Sequence, residues 1–309
     1  MINFRYHVVS LTAVFLALAI GLVVGTAALN GPVADSLKGS VDALGKDNRQ
    51  LREQVDLLTE EVNQEEKFAT EAAPLILGNS LQGRRVLLLT LPTGKDSVDG
   101  VTKMLTTAGA KITGRVDVRD SLADPQKSIE LLDLASRATP PSVFVTDLPK
   151  NSKGVETSSA LLAAVLLDRL PAVPDADRRA VLAAYDKADY LTEEEKVVGP
   201  AEAVVVVAGL PYVDHNAGAK NDAVVTMVEQ FDKAGVAVVA GSGSGDGNVV
   251  SQVRADPALS KTISTVDNGS TAQGQLVAAL ALAALISHGQ AGHYGVGAGA
   301  TSLLPEPKG

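Results

Sequence analysis

Ser242, Ser244, Asp256, Asp267, His288 and His293 are the side chains whose types and order could do chemistry. Serine, aspartate and histidine follow one another here as in an α/β-hydrolase triad. The nucleophile motif is a near miss, because the frame that should read G-x-S-x-G is Ala240-Gly241-Ser242-Gly243-Ser244. Nothing in the sequence positions an acid or a base beside either serine.

Metal binding is the second chemistry to weigh. The four histidines are His7, His215, His288 and His293. His288 and His293 are the metal candidates, but residues five apart on a helix point to different faces. Soft Cu(I) favours cysteine and methionine, and the chain has no cysteine and three scattered methionines. His215, within Tyr212-Val213-Asp214-His215-Asn216, reads as a loop residue. No metal or cofactor site is expected from the residues. The stretch Gly241–Asn248 (GSGSGDGN) fits the first two glycines of a dinucleotide-binding G-x-G-x-x-G but has Asp246 at the third. It lacks the lysine of a phosphate-binding loop as well, and reads as a strand-to-helix turn.

The elements that would hold these residues begin with an apolar segment. Val8 to Leu29 is uncharged and largely apolar. That matches the ~20 residues a helix needs to cross the hydrocarbon layer, against about 7–15 for the core of a signal peptide. Length favours an uncleaved anchor, whereas the small residues Gly25-Thr26-Ala27 could be read by a signal peptidase. Arg5 precedes the span and Asp35 is the first charge after it, so the positive-inside rule leaves the amino terminus in the cytosol and the remainder outside. Gly21 and Gly25 have the spacing that lets two membrane helices pack closely.

Asn30-Gly31-Pro32 should break this helix, and a heptad pattern follows. Leu37, Leu44, Leu51 and Leu58 take the d positions, and Val41, Asn48, Val55 and Val62 take a. β-Branched a residues with leucine at d favour a parallel two-stranded coil, and one asparagine at a fixes register. Across a parallel pair Asp47 faces Arg52, but Glu61 faces Glu66, so the coil is expected to fray after Val62. A helix packed on its own domain is the alternative, but such stripes are wider than a and d alone.

Further on, apolar runs of strand length alternate with helical stretches. Arg84–Pro92, Ala201–Pro211 and Gly235–Gly243 are the strong strand candidates. Residues 111–118, 141–149 and 261–268 are weaker ones. Unbroken rather than alternating runs mark strands covered on both faces. The last helical stretch, residues 270–289, places Ser270 and Gln273 at capping-box spacing, and its glutamine, serine and histidine favour a buried core helix over a second span. The expected fold class is therefore α/β: an N-terminal transmembrane helix, a parallel coiled coil, then a Rossmann-like, doubly wound, mostly parallel sheet. The expected divisions are 1–31 for the anchor, 34–72 for the coil, 80–288 for the α/β domain and 289–309 for a glycine-rich tail. A membrane barrel needs at least about eight cleanly alternating strands, which this pattern lacks.

Composition removes other classes. The 309 residues carry a net charge of −9 and only 3% aromatics, with no tryptophan. Nucleic-acid binding needs cations to displace counterions and aromatic faces for stacking, so no nucleic-acid partner is expected.

The opening INFRYHVVSLTAVFLALAIGLVVG, the leucine coil, the α/β pattern and the closing GHYGVGAGATSLLP together resemble the actinobacterial family named for the copper-transport protein MctB, which includes the cell-separation protein SteB. The resemblance covers essentially the whole chain and supplies no catalytic motif. It implies either copper efflux through the outer membrane or, for SteB-like members, pairing with a SteA-like membrane partner in the control of peptidoglycan hydrolysis. Copper enters through the family name alone. The residues favour a non-enzymatic homodimer held in the plasma membrane through residues 8–29. The alternative is an outer-membrane copper pore released by cleavage after Ala27, whose oligomers would conduct ions.

Overall fold

The structure, a computed structural model, describes residues 4–30, 32–149 and 153–306. The chain forms two compact units, Met1–Gln64 and Glu65–Gly309.

The first unit holds helix α1 (Phe4–Asn30) and most of α2 (Pro32–Leu77). The break expected at Asn30-Gly31-Pro32 centres on Gly31, which lies outside the described residues. Phe4–Ala27 is long and apolar enough to cross a membrane, with a mean hydropathy of 2.6 and none of its length buried. Residues 65–72, assigned to the coil by the heptads, belong to the second unit. There Ala69, Ala73 and Leu77 join its core and Glu66 Oε2 accepts the Ala272 amide at 2.7 Å.

The second unit follows the order β1 (Arg85–Thr90), α3 (Lys95–Thr107), β2 (Lys111–Val118), α4 (Asp120–Ala123), α5 (Ser128–Ala138), α6 (Gly154–Leu166), α7 (Asp175–Lys187), β3 (Leu191–Glu195), β4 (Ala203–Val207), α8 (Ala217–Ala234), β5 (Val236–Ala240), α9 (Val249–Ala255), β6 (Ser264–Val266), α10 (Ala272–His288) and β7 (His293–Tyr294). The strands make one sheet in the order β3-β2-β1-β4-β5-β6-β7, parallel throughout except where β3 pairs with β2. This is the doubly wound arrangement, with its switch point between β1 and β4.

The unbroken apolar runs are explained by helices on both faces. Leu87, Leu89, Val204, Val206 and Val239 pack under α5 to α9. Their neighbours Val86, Leu88, Val205, Val207 and Val238 pack under α3, α10 and the end of α2. Alternate side chains point to opposite faces, so a strand covered on both must be apolar at every position.

Three details differ from the sequence reading. Residues 141–149 do not form a strand; they hold a single 3₁₀ turn, Val145–Asp147, with Phe144 and Val145 exposed. Pro140, Pro141 and Pro149 cannot donate to a ladder, which removes the segment from the sheet. Helix α10 is capped by Thr271, whose hydroxyl accepts the Gly274 amide at 3.1 Å, rather than by Ser270 with Gln273. The tail from residue 289 contributes β7, and both sheet edges are blunted: Glu193, Glu194 and Glu195 line one, and a two-residue strand ends the other.

Candidate functional site

Ligands of doubly wound sheets sit beyond the carboxyl ends of the strands at the switch point. Here that position is filled by main chain. The loop after β1 meets the loop after β4: Leu91 N donates to Val207 O at 2.9 Å, and Gly209 N donates to Thr93 Oγ1 at 3.1 Å. A Cβ at Gly209 would collide with the Thr93 carbonyl, so only glycine allows this approach. The space left among Leu91, Thr93, Gly209 and Tyr212 is about 10 Å³, room for one water and no nucleotide.

One strand further on, the turn Gly241–Asn248 leads into α9 and sets up a buried ion pair. Arg254 Nη1 lies 2.8 Å from Asp267 Oδ2, and the two side chains are 4% and 1% exposed. Arg254 also donates from Nε to Thr265 Oγ1 at 2.9 Å, from Nη1 to Ala298 O at 2.9 Å, and from Nη2 to Tyr294 O at 2.8 Å. Asp267 accepts the amides of Val296 and Gly297 at 2.8 and 3.0 Å. Gly295 has φ +126°, and a Cβ there would run into the Asp267 carboxylate. The glycine-rich segment 292–302 is thus a clasp closed around one Arg–Asp pair.

The sequence candidates fall around this clasp without forming a reactive centre. His293 Nε2 is 3.1 Å from Ser260 O, and a carbonyl can only accept, so Nε2 carries the proton. Nδ1 then accepts from the Thr265 hydroxyl at 2.9 Å. Both ring nitrogens are committed, leaving no lone pair for a metal and no base for a serine. Asp267 is engaged by Arg254, and Ser244 Oγ accepts the Ala298 amide at 3.1 Å. Ser242 contributes its carbonyl to Asn248 Nδ2 at 2.9 Å. Exposed Asp256 accepts the amides of Ala258 and Leu259, which holds its carboxyl below the usual range. His288 is exposed at the end of α10, on a cleft shared with Tyr294 and Glu306. Among the described residues no group of three histidine, cysteine, aspartate or glutamate side chains could hold a metal.

Burial, first, and the neighbouring Arg254 hold the His293 pKa below its ordinary 6.5. A histidine kept neutral in the fold protonates more readily once unfolded. Its contribution to stability is complete above about pH 6.5 and is lost as pH falls through the lowered folded value. The urea midpoint is therefore expected to drop between pH 7.5 and 5, and His293→Gln to flatten that slope; an unchanged slope contradicts the assignment.

The heptad residues lie on α2. Leu37, Val41, Leu44, Leu51, Val55, Leu58 and Val62 are each exposed, as is Asn48. In α1, nothing approaches the Cβ positions of Gly21 or Gly25 within 4 Å.

A doubly wound α/β unit with a filled switch point follows the one helix, among the described residues, that is long and apolar enough for a membrane span or a signal. The chain belongs to the MctB family, whose description is copper transport outer membrane protein; the family model matches residues 1–305. Similar proteins include the copper transporter MctB of Mycobacterium leprae (strain TN), 32% identical over 320 residues, and that of Mycobacterium tuberculosis (strain ATCC 25618 / H37Rv), 29% identical over 311 residues. Each comparison covers 98% of this chain and 99% of the relative.

Proposed function

We propose that this chain is a non-enzymatic, single-pass envelope protein. Its amino terminus is cytosolic, and α1 stays in the plasma membrane. The a and d residues of α2 join two copies as a parallel coil, which presents two α/β units to envelope or cell-division partners, a SteA-like membrane protein among them. The observation that carries the reading is the seven apolar heptad residues of α2, each 54–68% exposed. Apolar side chains spaced at a and d gain most of their stabilisation from a partner helix. The test is the oligomeric state of the full chain with and without Leu44 and Leu51.

Copper export is the second reading, favoured by the family description and by the relatives' name. The seven-stranded sheet is covered on both faces, so a conducting path would have to arise between assembled chains. The dimeric reading needs no such path and uses the exposed seam directly to pair the two copies.

A further inference from the structure

The end of α2 carries a second apolar stripe where the helix belongs to the α/β unit. Ala69, Ala73 and Leu77, four residues apart, face the core. Phe68, Leu75 and Ile76 do not: they are 72%, 88% and 51% exposed, and Ala72 between them is half-buried. Spacings of three and four residues put Phe68, Ala72, Leu75 and Ile76 side by side on one helix face. Single exposed apolar residues are ordinary, but three large ones grouped over so short a stretch form a patch of the kind that marks an interaction surface.

Heptad register identifies what covers the patch. Counted in sevens from Leu58 and Val62, Ala72 falls at d and Ile76 at a, with Phe68 and Leu75 at the flanking g positions. The a position between them, Ala69, is taken up by the core, so the contact shifts towards g, where the large side chains stand. The stripe continues the heptads of residues 37–62 after one interruption, at Glu65. That interruption is milder than the sequence implies. Glu66, expected to repel Glu61 across a pair, turns Oε2 to the Ala272 amide at 2.7 Å. The amide opens α10, and the helix dipole there offsets a negative charge. A stripe that keeps the register of a parallel seam meets its own counterpart across a two-fold axis.

We propose that Phe68, Ala72, Leu75 and Ile76 pack against the same stripe of a second copy. This rests on the parallel-coil reading of α2 and adds to it: the dimer contact resumes beyond Val62 instead of ending there. The α/β units of the two copies are then held at one spacing rather than swinging on a frayed coil.

Thiol cross-linking of the full chain in lipid nanodiscs tests this, free of background because the chain has no cysteine of its own. A disulfide needs Cα atoms about 4.4–6.8 Å apart, so it forms readily only between facing positions. Under diamide, Ala72→Cys is expected to give linked dimer as fast as Leu44→Cys, placed in the coil. Glu71→Cys, at an exposed position beside Lys67, should react about tenfold more slowly, because only collision joins its thiols. Adding Phe68→Ser with Leu75→Ser should slow the Ala72→Cys reaction about tenfold and leave that of Leu44→Cys unchanged. Ile76→Cys replaces Ala72→Cys if that variant loses its cooperative thermal transition. Fast linking at Leu44→Cys, with Ala72→Cys no faster than Glu71→Cys, overturns this contact and leaves the coil standing. No linking at Leu44→Cys removes the coil reading and this inference with it. An Ala72→Cys rate unmoved by the two serines overturns the assignment to the apolar stripe.

Discussion

A chain carrying both Leu44→Glu and Leu51→Glu is expected to sediment as a monomer where the parent sediments as a dimer. Each leucine at a d position would be buried against its counterpart, and burial stabilises by about 2 kcal/mol per side chain. The dimer loses four such side chains, roughly 8 kcal/mol, which weakens association by about six orders of magnitude. The introduced carboxylates deepen the loss, because like charges would face one another in the seam. The variant should still fold: both leucines are exposed and neither belongs to the α/β core. Sedimentation equilibrium in detergent reads the result. A variant that remained dimeric at the parent's affinity would remove the coil from the account.

The second large effect is expected at the clasp. Asp267→Ala should destabilise the α/β unit by about 3–5 kcal/mol, because it strands Arg254 as a buried, unpaired cation. That is a large share of a typical total of about 5–15 kcal/mol. It also frees the Val296 and Gly297 amides, so amide exchange over residues 293–302 should rise to the rate of an open loop. Asp256→Ala is the matched control. Its carboxylate also accepts two amides, but it is exposed, and loss of such a local turn contact costs about 1 kcal/mol. Urea unfolding of both variants decides the matter, and equal midpoints would contradict the clasp.

The centre of the sheet was legible because burial on two faces demands apolar residues at every position. Val204 to Val207 alternate between two cores, and no other element of that length needs such a run. The edges were illegible for the converse reason. Leu191–Glu195 pairs on one side only and tolerates three glutamates, while His293–Tyr294 is too short to carry a period. Residues 141–149 misled because their apolar side chains look strand-like until the three prolines are weighed.

The clasp joins residues 13 to 44 positions apart in sequence, so no local spacing announces it. Its available signals were an aspartate at the exit of an apolar strand and the density of glycines after residue 289. The candidate triad and the candidate metal ligands rested on residue type and order alone. What removed them was hydrogen bonding to Thr265 and Ser260, which depends on the folded positions of both partners.

The most direct test is where the intact chain resides. A full-length protein tagged at both ends is separated into inner and outer membranes on a density gradient. The account predicts both tags on one chain in the plasma-membrane fraction, with α1 retained as the anchor. Loss of the amino-terminal tag, with the remainder in the outer membrane, would contradict it and favour a cleaved signal and copper export.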